Sequence, residues 1–277
     1  MGIVGERNNY RQCGETDHSF IMKTRRKSNI SDRNTQRRPG EDLSWMQMLF
    51  FLIGKPVKVQ ESVLHTTPWL TWTLAGSITL ITLLAWYTEA SSFLTGVLIF
   101  YPESSGWQWV TGLFGCAFIH ADWMHLIGNL YFLYLFGRNV ECRFGRRRMI
   151  WLFFISTALG SYFHGLFTDI GLIGASGGIF GILTFYALLF PKSRIMWLPF
   201  IGFFLRFFIL KYEKISGKSF LTKGMPVRVF LVIYLLFQVF LLYEQLFAEG
   251  NVSAMAHLGG GLAGVVIFFT WNKGWIP

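Results

Sequence analysis

Leu172-Ile173-Gly174-Ala175-Ser176-Gly177-Gly178-Ile179-Phe180-Gly181 opens an apolar run that continues to Phe190, and Ala256-His257-Leu258-Gly259-Gly260-Gly261-Leu262-Ala263-Gly264 opens another near the far end of the chain. Each run sets one chemically active side chain among small residues in a segment of membrane-crossing length. Gly177 and Gly181 stand four apart, and Gly260 and Gly264 repeat the spacing. In a bilayer, small residues four apart let helices approach until their backbones almost touch. Such closeness is what a serine–imidazole hydrogen bond of about 2.6–3.2 Å requires. Close packing alone also explains the glycines around Ser176, but packing has no use for a histidine beside the second glycine face.

The composition agrees with a membrane setting. Of 277 residues, 52% are hydrophobic, 18% aromatic and 14% charged, whereas a soluble domain is about 25% charged. Mean hydropathy is +0.41. The net charge of +10 would suit nucleic acid, but lysine and arginine cluster between apolar runs as flanking anchors do, so a lipid bilayer is the expected partner and nucleic acid is not. Cys13, Cys116 and Cys142 are widely spaced, without a CxxC pair, and imply no zinc site.

Crossing a hydrocarbon core of about 30 Å takes about 20 mostly apolar residues. Six runs qualify, at 68–87, 118–137, 149–168, 172–190, 229–247 and 252–271. Thr67 and Pro68 form an expected helix start, with Thr67 as the cap and proline in the first turn. The stretch 46–53 is too short to span and is closed by Gly54-Lys55-Pro56, so 46–66 is expected to lie at the interface. The stretch 195–210 carries Arg206 and is broken by Pro199 and Gly202. Were it a seventh span, the helices bearing Ser176 and His257 would run in opposite directions. Both residues are expected four or five positions into their helices, about 6–8 Å below the interface. They share that depth only if the helices are parallel, so 195–210 is expected not to cross.

Orientation follows from the positive-inside rule. Arg25, Arg26 and Arg37 before the first span, Arg138, Arg143 and Arg146 after the second, and Lys192, Arg194 and Lys211 after the fourth fall on one side of a six-span chain. Both termini are then expected in the cytoplasm, with Ser176 and His257 toward the outer side. Short loops and a compact core suit a bacterial inner membrane. Residues 1–45 are polar and basic without apolar periodicity, and are expected to be a disordered cytoplasmic tail. Residues 67–272 form the expected six-helix membrane domain.

The second run holds His120-Ala121-Asp122-Trp123-Met124-His125-Leu126-Ile127-Gly128-Asn129. His125 and Asn129 share one helical face. Polar side chains at membrane depth turn to a protein interior or a wet cavity and mark candidate sites, although hydrogen bonds that merely join helices explain them as well. A serine hydroxyl becomes a nucleophile when a neighbouring imidazole takes its proton. Attack on an amide then builds an oxyanion that needs donors already in place. Ser176 and His257 are the candidate catalytic pair; His125, Asn129 and the Ser176 backbone N–H are candidate oxyanion donors. The sixth run holds no acidic residue, so a dyad is expected rather than a triad.

His120 through Asn129, Phe136-Gly137-Arg138-Asn139-Val140-Glu141, Gly174-Ala175-Ser176-Gly177 and Ala256 through Gly264 together resemble the rhomboid intramembrane serine proteases, over about 107–271. The resemblance implies an all-α, six-transmembrane-helix rhomboid-like bundle and a Ser176–His257 dyad with His125 and Asn129 near the oxyanion. It also implies cleavage of transmembrane protein substrates near their membrane boundary, without cofactor or metal. Where members often carry a Trp-Arg pair after the first span, this chain has Trp107-Gln108-Trp109. Phe180 matches a position that is tyrosine in some members and could stack on His257, or simply fill the core. His164, Asp122 and Glu141 are expected to be structural. Two competing classes are a catalytically inactive rhomboid-like protein that binds membrane clients and a polytopic transporter. The first typically lacks the Ser or the His, and the second has no need of both glycine motifs.

Overall fold

The computed structural model describes residues 58–60, 67–196, 225–247 and 252–274. The tail 1–45, the short apolar stretch 46–53 and most of 195–210 lie outside the described residues. The chain divides into two compact units, one of Met1–Thr66 with Ser193–Pro226 and one of Thr67–Lys192 with Val227–Pro277.

The larger unit is helical. Its first helix, α1 (Trp69–Tyr87), starts one residue later than expected: Pro68 holds the cap position and no side chain of its own segment caps it. The carboxylate of Glu141 does so instead. It accepts from the backbone N–H groups of Leu70 and Thr71 at 2.9 and 2.8 Å and from the Thr71 hydroxyl at 2.8 Å, and Arg146 approaches it at 3.4 Å. A buried acid is tolerable there because the helix start offers orphan donors and the positive end of the helix dipole.

Two short helices follow, α2 (Ser91–Leu98) and α3 (Gly106–Gly115). Gln108 joins them, its side-chain amide donating to the Gly96 carbonyl at 3.0 Å, while Trp109 meets Phe100 edge-on. These are the contacts that Gln108 and Trp109 of the Trp107-Gln108-Trp109 stretch supply from α3.

The second apolar run is not one straight helix. After α3 comes a single tight turn, Cys116–Phe118, and the chain restarts as α4 (Trp123–Phe132), with a bend of 82° across the break. Asp122 causes the restart: its carboxylate accepts from the His125 N–H at 2.8 Å, so a new helix is nucleated inside the run. A wide π-type turn, Leu133–Gly137, leads into α5 (Arg138–Phe144). Gly145, at φ +90, then separates α5 from α6 (Arg146–Gly165), a reversal for which glycine is suited because it has no Cβ to clash.

The remaining helices among the described residues are α7 (Ser176–Leu189), α8 (Val227–Phe247) and α9 (Ala254–Asn272). Helix α7 is four residues shorter at its start than the apolar run, since 172–175 form a loop paired to Phe100 through mutual Phe100–Leu172 backbone bonds of 3.2 and 2.8 Å. Among the described residues three helices, α1, α8 and α9, are long and apolar enough to cross a membrane, or four if the bent pair is one span.

At the centre, α6, α7 and α9 meet through small residues. A Cβ on Gly260 would strike the Gly177 carbonyl, one on Gly264 the Gly181 carbonyl, and one on Gly160 would lie 2.5 Å from the Ala256 carbonyl. The pairs 177/260 and 181/264 advance together, so α7 and α9 run parallel, as the shared depth of Ser176 and His257 requires. In lipid such packing is held by van der Waals contact and interhelical hydrogen bonds, because leaving one apolar neighbour for another gains little hydrophobic free energy. Outward, α8 exposes Val232, Leu236, Val239 and Phe240. An apolar belt of this kind needs lipid or protein around it.

The smaller unit contains three short antiparallel strands in the order β1 (Lys58–Gln60), β2 (Arg194–Met196), β3 (Met225–Pro226). Val59 pairs with Ile195, and Ile195 with Met225. Apolar periodicity over 195–210 did not announce this sheet, because three-residue strands are too short to carry a pattern.

Candidate active site

Ser176 is the first residue of α7, not the fifth, and His257 is the fourth of α9. Both helices begin where the site needs them. The start of α7 follows Gly174, which takes φ +109 and whose N–H donates to the Cys116 carbonyl at 2.8 Å. The start of α9 is capped by Ser253, whose hydroxyl accepts from the Ala256 N–H at 3.1 Å. That same hydroxyl lies 2.7 Å from His164 Nδ1, and His164 Nε2 donates to the Ile170 carbonyl at 2.7 Å. Since a carbonyl only accepts, His164 Nε2 carries the proton, and Nδ1 receives the Ser253 hydroxyl. His164 thus ties the end of α6 to the cap of α9, a structural task.

Ser176 Oγ lies 2.9 Å from His257 Nε2. One face of the His257 ring is covered by Phe180 at a centroid distance of 4.4 Å and 7° between planes. Tyr234 of α8 stacks on Phe180 at 5.1 Å and 16°. The imidazole is therefore held flat against a column of rings. On its other edge, His257 Nδ1 lies 2.7 Å from Gln238 Oε1. Gln238 was missed from sequence. The available signal was an uncharged polar residue in the middle of an apolar span, the same criterion that singled out His125.

His125 and Asn129 sit on the facing side of α4. A Cβ built on Gly174 would lie 2.5 Å from His125 Nε2 and 3.7 Å from Asn129 Nδ2, so both side chains approach the loop that delivers Ser176. Asn129 Nδ2 is buried and has no hydrogen-bond partner. A donor left unsatisfied in an apolar interior costs about 1–3 kcal/mol, and such an atom calls for a function. His120 lies in the break before α4, not on a helix. Its Nδ1 is 3.2 Å from the Thr82 hydroxyl, its Nε2 accepts from the Ala175 N–H at 3.4 Å, and its ring packs edge-on against His125 at 4.9 Å. It braces α1, α4 and the Ser176 loop against one another. Behind Ser176 lies a small cavity walled in part by Cys116, Thr157, Ser161 and Gly174. Asp122 and Glu141 act as helix caps, away from the Ser–His pair.

Apolar helices enclosing a polar constellation of serine, histidine and amide groups define a polytopic helical membrane protein with a buried site. Its family is shown by comparison: the Rhomboid domain model matches residues 103–273, more than half the chain, and the chain belongs to the Rhomboid family. Relatives include Rhomboid-like protein 11, chloroplastic, of Arabidopsis thaliana, 27% identical over 183 residues covering 64% of this chain and 56% of that protein. Rhomboid-related protein 2 of Mus musculus is 24% identical over 193 residues, 67% of this chain and 55% of its own. Rhomboid protease GlpG of Yersinia pestis is 24% identical over 147 residues, 53% and 48% respectively. The chain spans about half the length of the curated relatives it matches. They come from a plant, a mammal and a bacterium.

Proposed function

We propose that this chain is an intramembrane serine endopeptidase that cuts transmembrane protein substrates near the membrane boundary, with Ser176 as nucleophile and His257 as base. The observation that carries the proposal is the 2.9 Å approach of Ser176 Oγ to His257 Nε2, at a distance suited to proton transfer. His257 takes the hydroxyl proton as Oγ attacks the scissile carbonyl. The oxyanion that forms accepts from Asn129 Nδ2, from His125 and from the backbone N–H of Ser176, whose place at the start of α7 leaves that donor outside the helix ladder. The unpartnered, buried Asn129 Nδ2 supports this role, since a donor waiting for charge that develops only in the transition state acts without reorganisation. His257 then gives its proton to the leaving amine. Water, activated by the same imidazole, releases the acyl group and restores Ser176.

The bundle in this proposal has six spans: α1, the bent α3–α5 segment, α6, α7, α8 and α9. Helix α7 is 14 residues long, about 21 Å, so it crosses only part of an apolar core of about 30 Å and begins at depth, where Ser176 sits. Basic residues at 138–148 and 192–194 set the cytoplasmic side, with both termini on it and the site toward the other face.

Cleavage of a labelled single-span substrate in liposomes tests the proposal. Wild type is expected to produce two fragments, and Ser176→Ala and His257→Ala, each expressed and folded, none. Fragments from Ser176→Ala at the wild-type rate would remove Ser176 as the nucleophile, and absence of fragments from the wild-type protein across several single-span substrates would replace the protease by the client-binding reading.

A further inference from the structure

Gln238 is buried at 1% exposure on a helix whose neighbouring side chains, Phe237 and Val239, face outward. Its Oε1 lies 2.7 Å from His257 Nδ1, and its Nε2 donates to the Tyr234 carbonyl at 3.3 Å. These two contacts decide the proton on His257. The Tyr234 carbonyl can only accept, so the amide nitrogen must face it and the amide oxygen must face the imidazole. An oxygen facing Nδ1 requires a proton on Nδ1. Nε2 is then bare, with its lone pair toward the Ser176 hydroxyl at 2.9 Å. Flipping the amide would set oxygen against oxygen at Tyr234 and turn His257 into a donor toward Ser176, a tautomer unable to take the hydroxyl proton.

From this geometry we propose that Gln238 is a positioning residue for the Ser176–His257 pair, holding the imidazole in the tautomer and ring orientation that proton removal from Ser176 needs. The inference rests on the protease reading given above and supplies what the sixth span lacks, a third group on the imidazole, as a neutral amide from α8. A neutral acceptor suits a site enclosed by apolar helices, where a carboxylate would carry the desolvation cost of a buried charge. Because Gln238 belongs to α8 and the serine to α7, the orientation of the base depends on α8 being seated. Phe180 and Tyr234 fix the plane of the ring; Gln238 fixes its rotation and its proton.

The test compares wild type, Gln238→Leu and Gln238→Glu in liposomes by steady-state cleavage of the single-span substrate, with Ser176→Ala as blank, and by 15N NMR of labelled histidine in detergent. Leucine removes the acceptor without adding a buried polar group. Glutamic acid keeps the shape and an oxygen facing Nδ1, and in its neutral form it also donates to the Tyr234 carbonyl. Gln238→Leu is expected to lower kcat about tenfold or more, with KM within about twofold and an unchanged thermal midpoint, while Gln238→Glu recovers most of the rate. The His257 spectrum is expected to report a protonated Nδ1 in wild type and in Gln238→Glu, and a shift toward protonated Nε2 in Gln238→Leu. Wild-type kcat in Gln238→Leu, or a bare Nδ1 in the wild-type protein, overturns the role. A loss in Gln238→Leu that follows only a lowered midpoint and is not recovered by glutamic acid overturns it too. If wild type and Ser176→Ala are equally inactive, the protease reading fails separately, and the 15N result still decides what Gln238 does to the imidazole.

Discussion

At the scale of single residues, the site is made of atoms whose partners are chemically determined. The Ser176–His257–Gln238 chain has one consistent proton arrangement, and Asn129 Nδ2 beside it is a buried donor without a partner. Two predictions belong here. Asn129→Ala is expected to lower kcat by about 10²–10³-fold with little change in KM, as loss of one oxyanion donor does; a change confined to KM in steady-state kinetics would remove Asn129 from that role. Gly174→Ala strains a backbone at φ +109 and drives a Cβ within 2.5 Å of His125 Nε2, so cleavage is expected to fall by at least about tenfold while His125 is displaced. Wild-type turnover in that variant would mean that His125 is not held against the Ser176 loop. Ser176, His257, His125 and Asn129 were all legible as candidates because each is a polar or reactive group in an apolar or glycine-rich setting. Gln238 was passed over because its neighbour four residues away, Tyr234, reads as an aromatic of apolar packing, and because its meaning depends on a histidine 19 positions along the chain and on another helix.

At the scale of elements, glycine spacing and helix starts do the positioning. Gly260 and Gly264 abut the Gly177 and Gly181 carbonyls, so α7 and α9 touch along backbone that cannot rotate aside. Gly260→Ala is expected to force the pair apart, lowering stability by about 1–3 kcal/mol and reducing cleavage in parallel. Gly76→Ala on α1, where a Cβ meets nothing within 4 Å, is expected to be neutral or to stabilise by up to about 1 kcal/mol. Unfolding midpoints of the two variants in the same detergent check both; equal midpoints would contradict the close-contact account. Hydropathy located the long helices to within a few residues, yet it read the second run as straight. The 82° bend comes from Asp122 capping a second helix within that run, a local hydrogen bond that averages out of any hydropathy window. The Glu141 cap on α1 was equally hidden, since the carboxylate and the helix start are about 70 positions apart in sequence. The β1–β2–β3 sheet was invisible for want of length.

At the scale of the whole molecule, a broken entry segment, a parallel α7–α9 pair and α8 surround a polar site among the apolar helices of the larger unit. Family membership follows from the match over residues 103–273; the activity is the proposal. A helical substrate span must expose an extended carbonyl to reach Ser176, because a helical carbonyl is already hydrogen-bonded. Pro or Gly near the outer end of a substrate span is therefore expected to raise the cleavage rate over a uniformly Leu-rich span, since both residues destabilise the helix. Equal initial rates for the two substrates in liposomes would count against local unwinding as a requirement.

The central claim is that His257 activates Ser176. The most direct measurement is covalent labelling by a serine-reactive fluorophosphonate in liposomes, with the modified residue located by mass spectrometry. The account predicts a single adduct on Ser176 in the wild-type protein and its near-complete loss in a folded His257→Ala variant. An adduct on another serine, or equal labelling of Ser176 with and without the imidazole, would contradict it.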